Sequence, residues 1–142
     1  VVKHTMTFLP YEKPKHMLGI GTVEDIFDYV EYGADTFDCV LPTRLARQGY
    51  VFFKGAVENK FRYPITKTMY KNDSSPLEEG CQCYVCQNYS RAYIYHLYKA
   101  KELLFNTLVT YHNLWFFARL MEKIRDSIDA GSFLKLKKEW IG

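Results

Sequence analysis

The sequence predicts an α/β fold in which a strand–helix–strand unit comes first and a mainly helical region follows. Two short apolar runs, residues 16–21 and 36–41, flank a segment with helical periodicity. Strands joined by a helix in this way run parallel, because the helix returns the chain to the same end of the sheet. Three cysteines then lie within residues 81–86, ahead of further helical patterns. We therefore expect a small parallel sheet followed by a cysteine-containing helical region.

The first strand and its helix are marked by their boundaries. Residues 16–21 form an apolar run that ends in glycine, which is consistent with a buried parallel strand. Thr22, followed three residues later by Asp25, resembles a capping box at a helix start. Gly33 stands where a glycine commonly follows a helix end. The apolar face expected between these two signals consists of Val23, Ile26, Phe27 and Val30.

The second strand is expected over residues 36–41, where Pro42 stops it, and residues 1–15 are expected to form a loop. Residues 50–53 and 56–59 flank Lys54 and Gly55, which predicts a β-hairpin. Two parallel strands are too few to close a sheet. The unit is therefore either a small α/β domain or the end of a larger barrel.

Four helices are predicted in the second half of the chain, over about residues 88–99 and 101–111, from Asn113 onward, and over residues 133–140. Asn113 is expected to cap the long third helix. Its inner face is predicted to carry Leu114, Phe117, Ala118, Met121, Ile124 and Ile128. A stripe of large amphipathic side chains is expected after the cysteines, formed by Tyr89, Tyr93 and His96 with Tyr98 and Leu108 near it.

Composition and charge limit the class of protein. Apolar residues make up 48% of the chain and charged residues 25%, which is typical of a globular domain. The net charge of +3 is compatible with nucleic acid but does not require it. No apolar run approaches the roughly 20 residues that span a bilayer, and no secretory signal follows Val1. We therefore expect no membrane partner and a cytoplasmic location.

The clustered cysteines predict a metal site. Cys81, Cys83 and Cys86 form a C-x-C-x2-C pattern, and His112 follows on a predicted helix. Three thiolates and one imidazole fill the four positions of a tetrahedral zinc and leave none for water, so the site would be structural. Free thiols and an iron–sulfur site are the alternatives. His4 and His16 are expected to be surface or packing residues.

Other polar residues have two interpretations each when only the residue pattern is considered. Asp38 lies in the second apolar run, where a carboxylate is more often structural than catalytic. Gly19 could let the backbone approach a flat ligand, or it could serve tight strand packing. Arg44 and Arg47, on an expected loop, could bind RNA phosphates, or they could belong to a solvated basic turn.

Four ordered segments resemble the tRNA-guanine transglycosylases (queuine or preQ1 tRNA-ribosyltransferases). Residues 35–49, DTFDCVLPTRLARQG, resemble that family's nucleophile segment, and residues 9–22, LPYEKPKHMLGIGT, resemble its L-P-x-x-K-P-x-x-x-x-G-x-G-T stretch. Residues 81–92, CQCYVCQNYSRA, resemble its zinc knuckle, and His112-Asn113-Leu114 resembles the segment of its fourth ligand. The resemblance covers nearly the whole chain.

The resemblance implies a fold and a division of the chain. The family has a (β/α)8 barrel with an inserted zinc-binding, mainly helical subdomain, and the two predicted strands would belong to its last two βα units. Residues 1–49 would form these units with the nucleophile strand, residues 50–112 the zinc subdomain and residues 113–142 the C-terminal helices. The family's first six βα units would lie outside this chain, so we expect the chain to be inactive alone.

The resemblance also implies a reaction. Asp38 would be the nucleophile that attacks the ribose of the wobble guanosine, forms a covalent aspartyl–RNA intermediate and is displaced by a 7-deazaguanine, here preQ1. Leu18 and Gly19 would belong to the base pocket, although the family commonly has Met at the position of Leu18. Arg44 and Arg47 would contact the tRNA anticodon loop, and Gln48 stands where many members have Asn.

The last implied property is a homodimer formed through the zinc subdomain, with the Tyr89–Tyr93–His96 stripe at the contact. Internal packing of that stripe is the alternative. A non-catalytic, zinc-stabilised tRNA-binding or dimerisation subunit is the second hypothesis for the whole chain. It is disfavoured by Asp38, because partner subunits of this kind lack the nucleophile. A redox or metal-transfer protein is disfavoured by the fourth ligand, His112.

Overall fold

The two apolar runs form the predicted parallel strands in a computed structural model that describes residues 1–142. β1 (His16–Leu18) pairs in parallel with β2 (Thr36–Asp38), with Leu18 opposite Asp38. Both strands are three residues shorter at their C-terminal ends than the apolar runs predicted. Gly19 leaves the strand with a left-handed φ of 72°, and residues after Asp38 turn into a helix. The expected strand–helix–strand unit is confirmed.

Helix α2 (Val23–Glu31) joins the two strands and begins and ends as predicted. The Thr22 hydroxyl accepts a hydrogen bond from the Asp25 backbone N–H at 3.1 Å. Gly33 follows the helix end with a φ of 95°, which few other residues adopt. Val23, Ile26 and Phe27 are buried, as the helical pattern predicted, and Val30 is half-buried.

Residues 1–15 contain a short helix, α1 (Val2–Met6), so the expectation of a loop throughout this segment is wrong. Helix α1 has no buried residue and no side-chain cap. Its five residues make only one turn and lack an apolar face, so the helical pattern was too short to recognise. The compact unit Val1–Leu41 thus contains α1, β1, α2 and β2.

The second compact unit, Pro42–Trp140, begins in helix α3 (Leu41–Arg47) and continues into a β-hairpin. β3 (Tyr50–Phe52) pairs antiparallel with β4 (Arg62–Pro64). The predicted hairpin turn at Lys54 and Gly55 is wrong, because residues 57–59 form a 3-10 helix and not a strand. Gly55 instead leaves room for a ring: an added Cβ would lie 2.4 Å from the Phe53 side chain.

Four helices complete this unit: α4 (Tyr84–Asn88), α5 (Arg91–Ala100), α6 (Leu103–Asp129) and α7 (Phe133–Ile141). Helix α6 replaces the two helices expected on either side of Asn113, which lies inside it and caps nothing. The core combines α3, the hairpin and α4–α6. Its buried members are Ala46, Val51, Ile65, Leu77, Cys83, Val85, Ile94, Leu97, Phe105, Leu108 and Val109.

The buried face of α6 differs from the predicted one. Leu114 and Ile128, expected inside, are 49% and 51% exposed. Of the six predicted inner residues, only Ile124 is fully buried. The buried stripe instead includes His112, Asn113 and Ser127, polar residues that an apolar pattern does not count as core. The remaining buried residues of α6 are Phe105, Leu108, Val109, Phe116, Leu120 and Ile124.

Candidate active site and metal centre

The carboxylate of Asp38 lies at the C-terminal end of β2, with 62% of its side chain exposed. The Gly19 backbone N–H donates a hydrogen bond to its Oδ1 at 3.2 Å. Leu18, opposite Asp38 in the strand register, is 80% exposed. The structure therefore brings together the three residues expected at the nucleophile and base pocket, around a carboxylate that a ligand can reach.

A histidine that the sequence did not single out also contacts this carboxylate. The Nε2 of His16 lies 3.2 Å from Asp38 Oδ1, and its Nδ1 lies 2.8 Å from the hydroxyl of Thr36. His16 was expected to be a surface or packing residue. The sequence does contain a signal for this contact, because alternate residues of a strand lie on the same face of the sheet. The parallel register then aligns His16 with Thr36 and Leu18 with Asp38.

Gly21 permits a close approach between the segment after β1 and the segment after β2. A Cβ at this position would lie 2.4 Å from the Cβ of Cys39 and 2.6 Å from its Sγ. Real Cβ atoms do not come this close to another heavy atom, so any larger residue would push these two segments apart. The expected packing role of a glycine thus applies to Gly21, while Gly19 contacts Asp38.

The two arginines expected to bind RNA lie on a helix and not on a loop. Arg44 and Arg47 belong to α3, which follows β2 after two residues and continues through Pro42 in its first turn. Proline is compatible with a first helical turn, where its missing N–H has no helical partner. Both arginines are exposed, and their spacing of three residues places them on one helix face.

The predicted metal ligands form one cluster. The ligand atoms of Cys81, Cys83, Cys86 and His112 lie within 4.8 Å of one another. The Nδ1 of His112 is 3.4 Å from the sulfur of Cys86, 3.5 Å from that of Cys83 and 4.0 Å from that of Cys81. A tetrahedral zinc with ordinary Zn–S and Zn–N bonds separates sulfur from nitrogen by about 3.6 Å. The four residues therefore fit a tetrahedral metal ion.

Short local elements and one long helix hold the four ligands. Cys83 is the N-cap of α4, and its sulfur accepts a hydrogen bond from the Cys86 backbone N–H at 3.4 Å. His112 projects from α6, and its Nε2–H donates to the Phe52 carbonyl at 2.9 Å. This bond fixes the tautomer that leaves Nδ1 free to bind metal, as outer partners of metal-bound histidines do.

The electrostatics of the cluster favour an anionic sulfur next to the imidazole. Hydrogen bonds from Cys86 and His112 lower the pKa of Cys83 to about 4. The same contact with Cys83, together with burial, raises the pKa of Cys86. Burial opposes a charge on His112, but hydrogen bonds to Cys81 and Cys83 and to the Phe52 carbonyl outweigh it and raise its pKa to about 10. A metal ion bound here would therefore replace the proton on Nδ1 of His112 and meet a Cys83 sulfur whose anionic form is already favoured.

Asn113, which the sequence predicts as a helix cap, lies inside α6 next to the predicted metal ligands and has a structural role. It is fully buried, and its Oδ1 accepts from the Phe52 N–H at 2.9 Å. Its Nδ2 donates to the carbonyls of Pro42 and Tyr50 at 3.1 and 3.0 Å. Consecutive residues of α6, His112 and Asn113, thus bind the carbonyl and the N–H of the same strand residue.

Three exposed tyrosines and the half-buried Tyr89 form a surface cluster beside the predicted metal ligands. The rings of Tyr89 and Tyr93 stack at 5.3 Å, and Tyr84 contacts both Tyr89 and Tyr111. Tyr84, Tyr93 and Tyr111 are 53%, 38% and 45% exposed. Leu108, expected near this stripe, is instead buried in the core.

Together, the fold and these sites define a mixed α/β protein with an exposed strand-end carboxylate and a Cys3His group that could hold a metal ion. The family model for queuine tRNA-ribosyltransferase matches residues 1–142. The chain belongs to the queuine tRNA-ribosyltransferase family, which confirms the resemblance of its four segments.

Individual relatives agree with the family model. The chain is 50% identical over 146 residues to a putative queuine tRNA-ribosyltransferase of Archaeoglobus fulgidus, and the match covers 100% of the chain and 36% of that protein. It is 47% identical over 141 residues to a queuine tRNA-ribosyltransferase of Caldanaerobacter subterraneus, covering 99% of the chain and 36% of that protein. The chain thus spans about a third of the length of these relatives. None of its helices combines the length and the apolar character that a membrane crossing requires.

Proposed function

We propose that this chain supplies the nucleophile and the metal centre of a tRNA-guanine transglycosylase, and that it acts as part of a longer enzyme. The observation that carries the proposal is the exposed Asp38 carboxylate at a strand end, next to Leu18 and Gly19. Family membership supports the reaction, and the 36% share of the relatives' length supports a larger catalytic unit.

In the proposed reaction, one carboxylate oxygen of Asp38 forms a bond to C1′ of the ribose at the wobble guanosine. The C1′–N9 bond breaks, and its electron pair leaves with guanine, which takes up a proton from a general acid. A 7-deazaguanine, in our proposal preQ1, then attacks C1′, loses a proton and releases the Asp38 carboxylate. Two displacements at one anomeric carbon restore its configuration, as in retaining glycosidases.

The base and the tRNA would meet different parts of the chain. Leu18 and Gly19 would form part of the base pocket, because Leu18 is exposed beside the nucleophile and Gly19 has no side chain to obstruct a flat ring. Arg44 and Arg47 would contact tRNA phosphates, since guanidinium groups bind phosphate with two parallel hydrogen bonds. Their exposure on one face of α3 supports this role.

The metal of the Cys3His cluster would be a structural zinc. Three sulfur ligands and one imidazole favour zinc, and four protein ligands leave no position for a reacting water. When bound, the zinc would hold the segment containing Cys81, Cys83 and Cys86 against α6. The chain's own residues, above all His112 and its bond to Phe52, orient the site in advance.

The parallel β1–β2 pair would be part of the last two βα units of a (β/α)8 barrel. Its register and its connecting helix support this, and catalytic groups of such barrels lie at C-terminal strand ends, as Asp38 does. We propose residues 1–49 as these units, 50–112 as the zinc subdomain and 113–142 as the C-terminal helices. Helix α6 would then cross the last boundary without a break.

The test of the proposed reaction is Asp38→Asn in a full-length enzyme that contains this chain. An amide cannot form the ester with ribose, so the variant should bind tRNA but yield no denaturant-resistant protein–RNA adduct. Asp35→Asn is the matched control, because its carboxylate accepts from the Lys15 N–H and lies three residues before the nucleophile. An adduct that persists in Asp38→Asn would assign the nucleophile to another residue.

We further propose a homodimer formed through the zinc subdomain. A cluster formed by the exposed Tyr84, Tyr93 and Tyr111 and the half-buried Tyr89 supports this, because aromatic anchors dominate interface energetics. Tyr93→Ala in the full-length enzyme should lower the dimer fraction at low micromolar concentration in native mass spectrometry. Tyr11→Ala, which removes an equally large and 96% exposed ring elsewhere, is the control. A dimer fraction equal to that of Tyr11→Ala would contradict the proposal.

A further inference from the structure

The β1–β2 pair carries a histidine for which the proposed reaction has no role. His16 and Asp38 lie on the same face, and the imidazole bridges Thr36 and Asp38 with distances of 2.8 and 3.2 Å. No other side chain among the described hydrogen bonds reaches the Asp38 carboxylate. The side chains of His16 and Asp38 are 45% and 62% exposed, so the other residues of this chain do not confine them. Within this chain, their orientation depends on these few polar contacts.

The hydrogen-bond chemistry determines which ring nitrogen carries the proton. An ionised carboxylate has no hydrogen to donate, so Nε2 of His16 must be the donor to Asp38. In the neutral ring, Nδ1 is then an acceptor, and the hydroxyl of Thr36 donates to it. The hydrogen bond from Thr36 thus favours the tautomer whose Nε2–H points to the carboxylate. The partner of one ring nitrogen generally determines in this way whether the other nitrogen carries the proton.

Both donors bind the same oxygen of Asp38. The His16 Nε2–H and the Gly19 backbone N–H each lie 3.2 Å from Oδ1. We propose that His16, held by Thr36, is a positioning residue that anchors Asp38 through Oδ1 and leaves Oδ2 as the attacking oxygen. This inference rests on the proposed function, because it assigns a role to His16 within that reaction.

The anchor is compatible with both displacement steps. When Oδ2 forms its bond to C1′ and guanine leaves with the electron pair of the C1′–N9 bond, Oδ1 becomes the carbonyl oxygen of the ester. A carbonyl oxygen still accepts hydrogen bonds, so His16 and Gly19 keep their contacts. His16 retains its proton throughout, and the proton taken up by guanine comes from a general acid elsewhere. The imidazole therefore aligns the carboxylate without exchanging a proton with it.

The experiment compares variants that remove or retain the donor, in a full-length enzyme that contains this chain. His16→Phe removes both ring nitrogens, whereas His16→Gln keeps an amide N–H near the place of Nε2. The rate of the covalent protein–RNA adduct in a single turnover should fall roughly 10- to 100-fold in His16→Phe, because misaligned reacting groups cost rates of this order. The tRNA dissociation constant should stay within about twofold, and His16→Gln should recover most of the rate.

Second-site variants keep the test informative if His16→Phe folds poorly. Thr36→Val removes the hydroxyl that orients the imidazole and should give a smaller loss in the same adduct rate, which Thr36→Ser should restore. His4→Gln is the control for an exposed histidine of the same unit, whose ring contacts Phe8 and not Asp38. Its adduct rate should match that of the unchanged enzyme.

Two outcomes would overturn the inference. One is an adduct rate in His16→Phe that equals the rate in His4→Gln. If His16→Phe does not fold, the same comparison is made with Thr36→Val. The other is a His16→Gln variant as slow as His16→Phe, which would mean that an N–H donor at this position does not account for the effect of the imidazole. Asp38→Asn separates this failure from that of the proposed function. An adduct in Asp38→Asn contradicts the reaction, whereas its absence together with a normal His16→Phe contradicts only the positioning role.

Discussion

Asn113 illustrates how a single polar side chain can join several backbone segments. Its carboxamide makes three hydrogen bonds, to the Phe52 N–H and to the carbonyls of Pro42 and Tyr50, while fully buried. A buried amide can remain in a core only when its donors and acceptor are satisfied, because each unpaired group costs free energy. These bonds connect α6 with β3 and with the start of α3.

Asn113→Ala should therefore lower the free energy of unfolding by about 3 kcal/mol, since it leaves one backbone N–H and two carbonyls without partners. Urea denaturation measures this loss. Ser127→Ala is the matched control on the same helix: Ser127 is also buried, but its hydroxyl donates to the Ile124 carbonyl of its own helix. We expect about 1 kcal/mol or less for the control, and equal losses in the two variants would contradict the joining role of Asn113.

Elements with a strong local signal were predictable from the sequence. Helix α2 has a cap at Thr22, an apolar face and a glycine after its end, and all of these lie where they were expected. The four predicted metal ligands also lie together, because their residue types and spacing already imply one site. In each case the interactions that define the feature involve residues close in sequence, or a chemistry with few alternatives.

Elements determined by distant contacts were not predictable. Asn favours helix starts, which predicts a cap at Asn113, but the partners of Asn113 lie in β3 and α3, more than sixty residues earlier. The buried face of α6 includes His112 and Asn113, two polar residues that an apolar pattern does not count. The observed buried face therefore differs from the predicted one. The sequence does not predict the contact between His16 and Asp38, because this contact depends on the register of two strands twenty residues apart.

The cap of α2 gives a prediction at the scale of one element. Thr22→Ala removes the hydroxyl that accepts from the Asp25 N–H and that donates to the Asp25 carboxylate at 2.7 Å. The free energy of unfolding should fall by about 1 kcal/mol, the usual effect of losing such a cap. Thermal or urea unfolding measures it, with Thr22→Ser as the variant that keeps the hydroxyl. A serine variant as unstable as the alanine variant would mean that the methyl group, not the hydrogen bonds, matters.

At the scale of the whole molecule, the metal cluster belongs to one of two compact units. Cys81, Cys83 and Cys86 lie in or beside the core of the unit Pro42–Trp140, whereas β1, α2 and β2 form the other. A structural zinc contributes its binding free energy to folding, because the unfolded chain does not hold the ligands together. Losing the metal should therefore affect the two units differently.

Cys83→Ala, or treatment with a strong chelator, should increase hydrogen–deuterium exchange in residues 80–112 and in β3, while α2 exchanges as before. Elemental analysis should find one zinc per chain in the unchanged protein and none in the variant. Cys39→Ala is the control, because Cys39 is a free thiol outside the cluster. Full zinc content in Cys83→Ala, or an equal rise in exchange across α2, would contradict this prediction.

The bonds from α6 to β3 have a consequence for aggregation. β3 uses one side to pair with β4, and a strand in a two-stranded sheet leaves the N–H and carbonyl groups of its other side open to a strand of another molecule. Here the Tyr50 carbonyl and both backbone groups of Phe52 are occupied by the side chains of His112 and Asn113. Helix α6 thus covers this strand edge with two side chains, one of which, His112, is a proposed metal ligand. If the proposed zinc holds His112 in place, its loss would weaken the contact with the Phe52 carbonyl and favour pairing of β3 with a strand of another molecule.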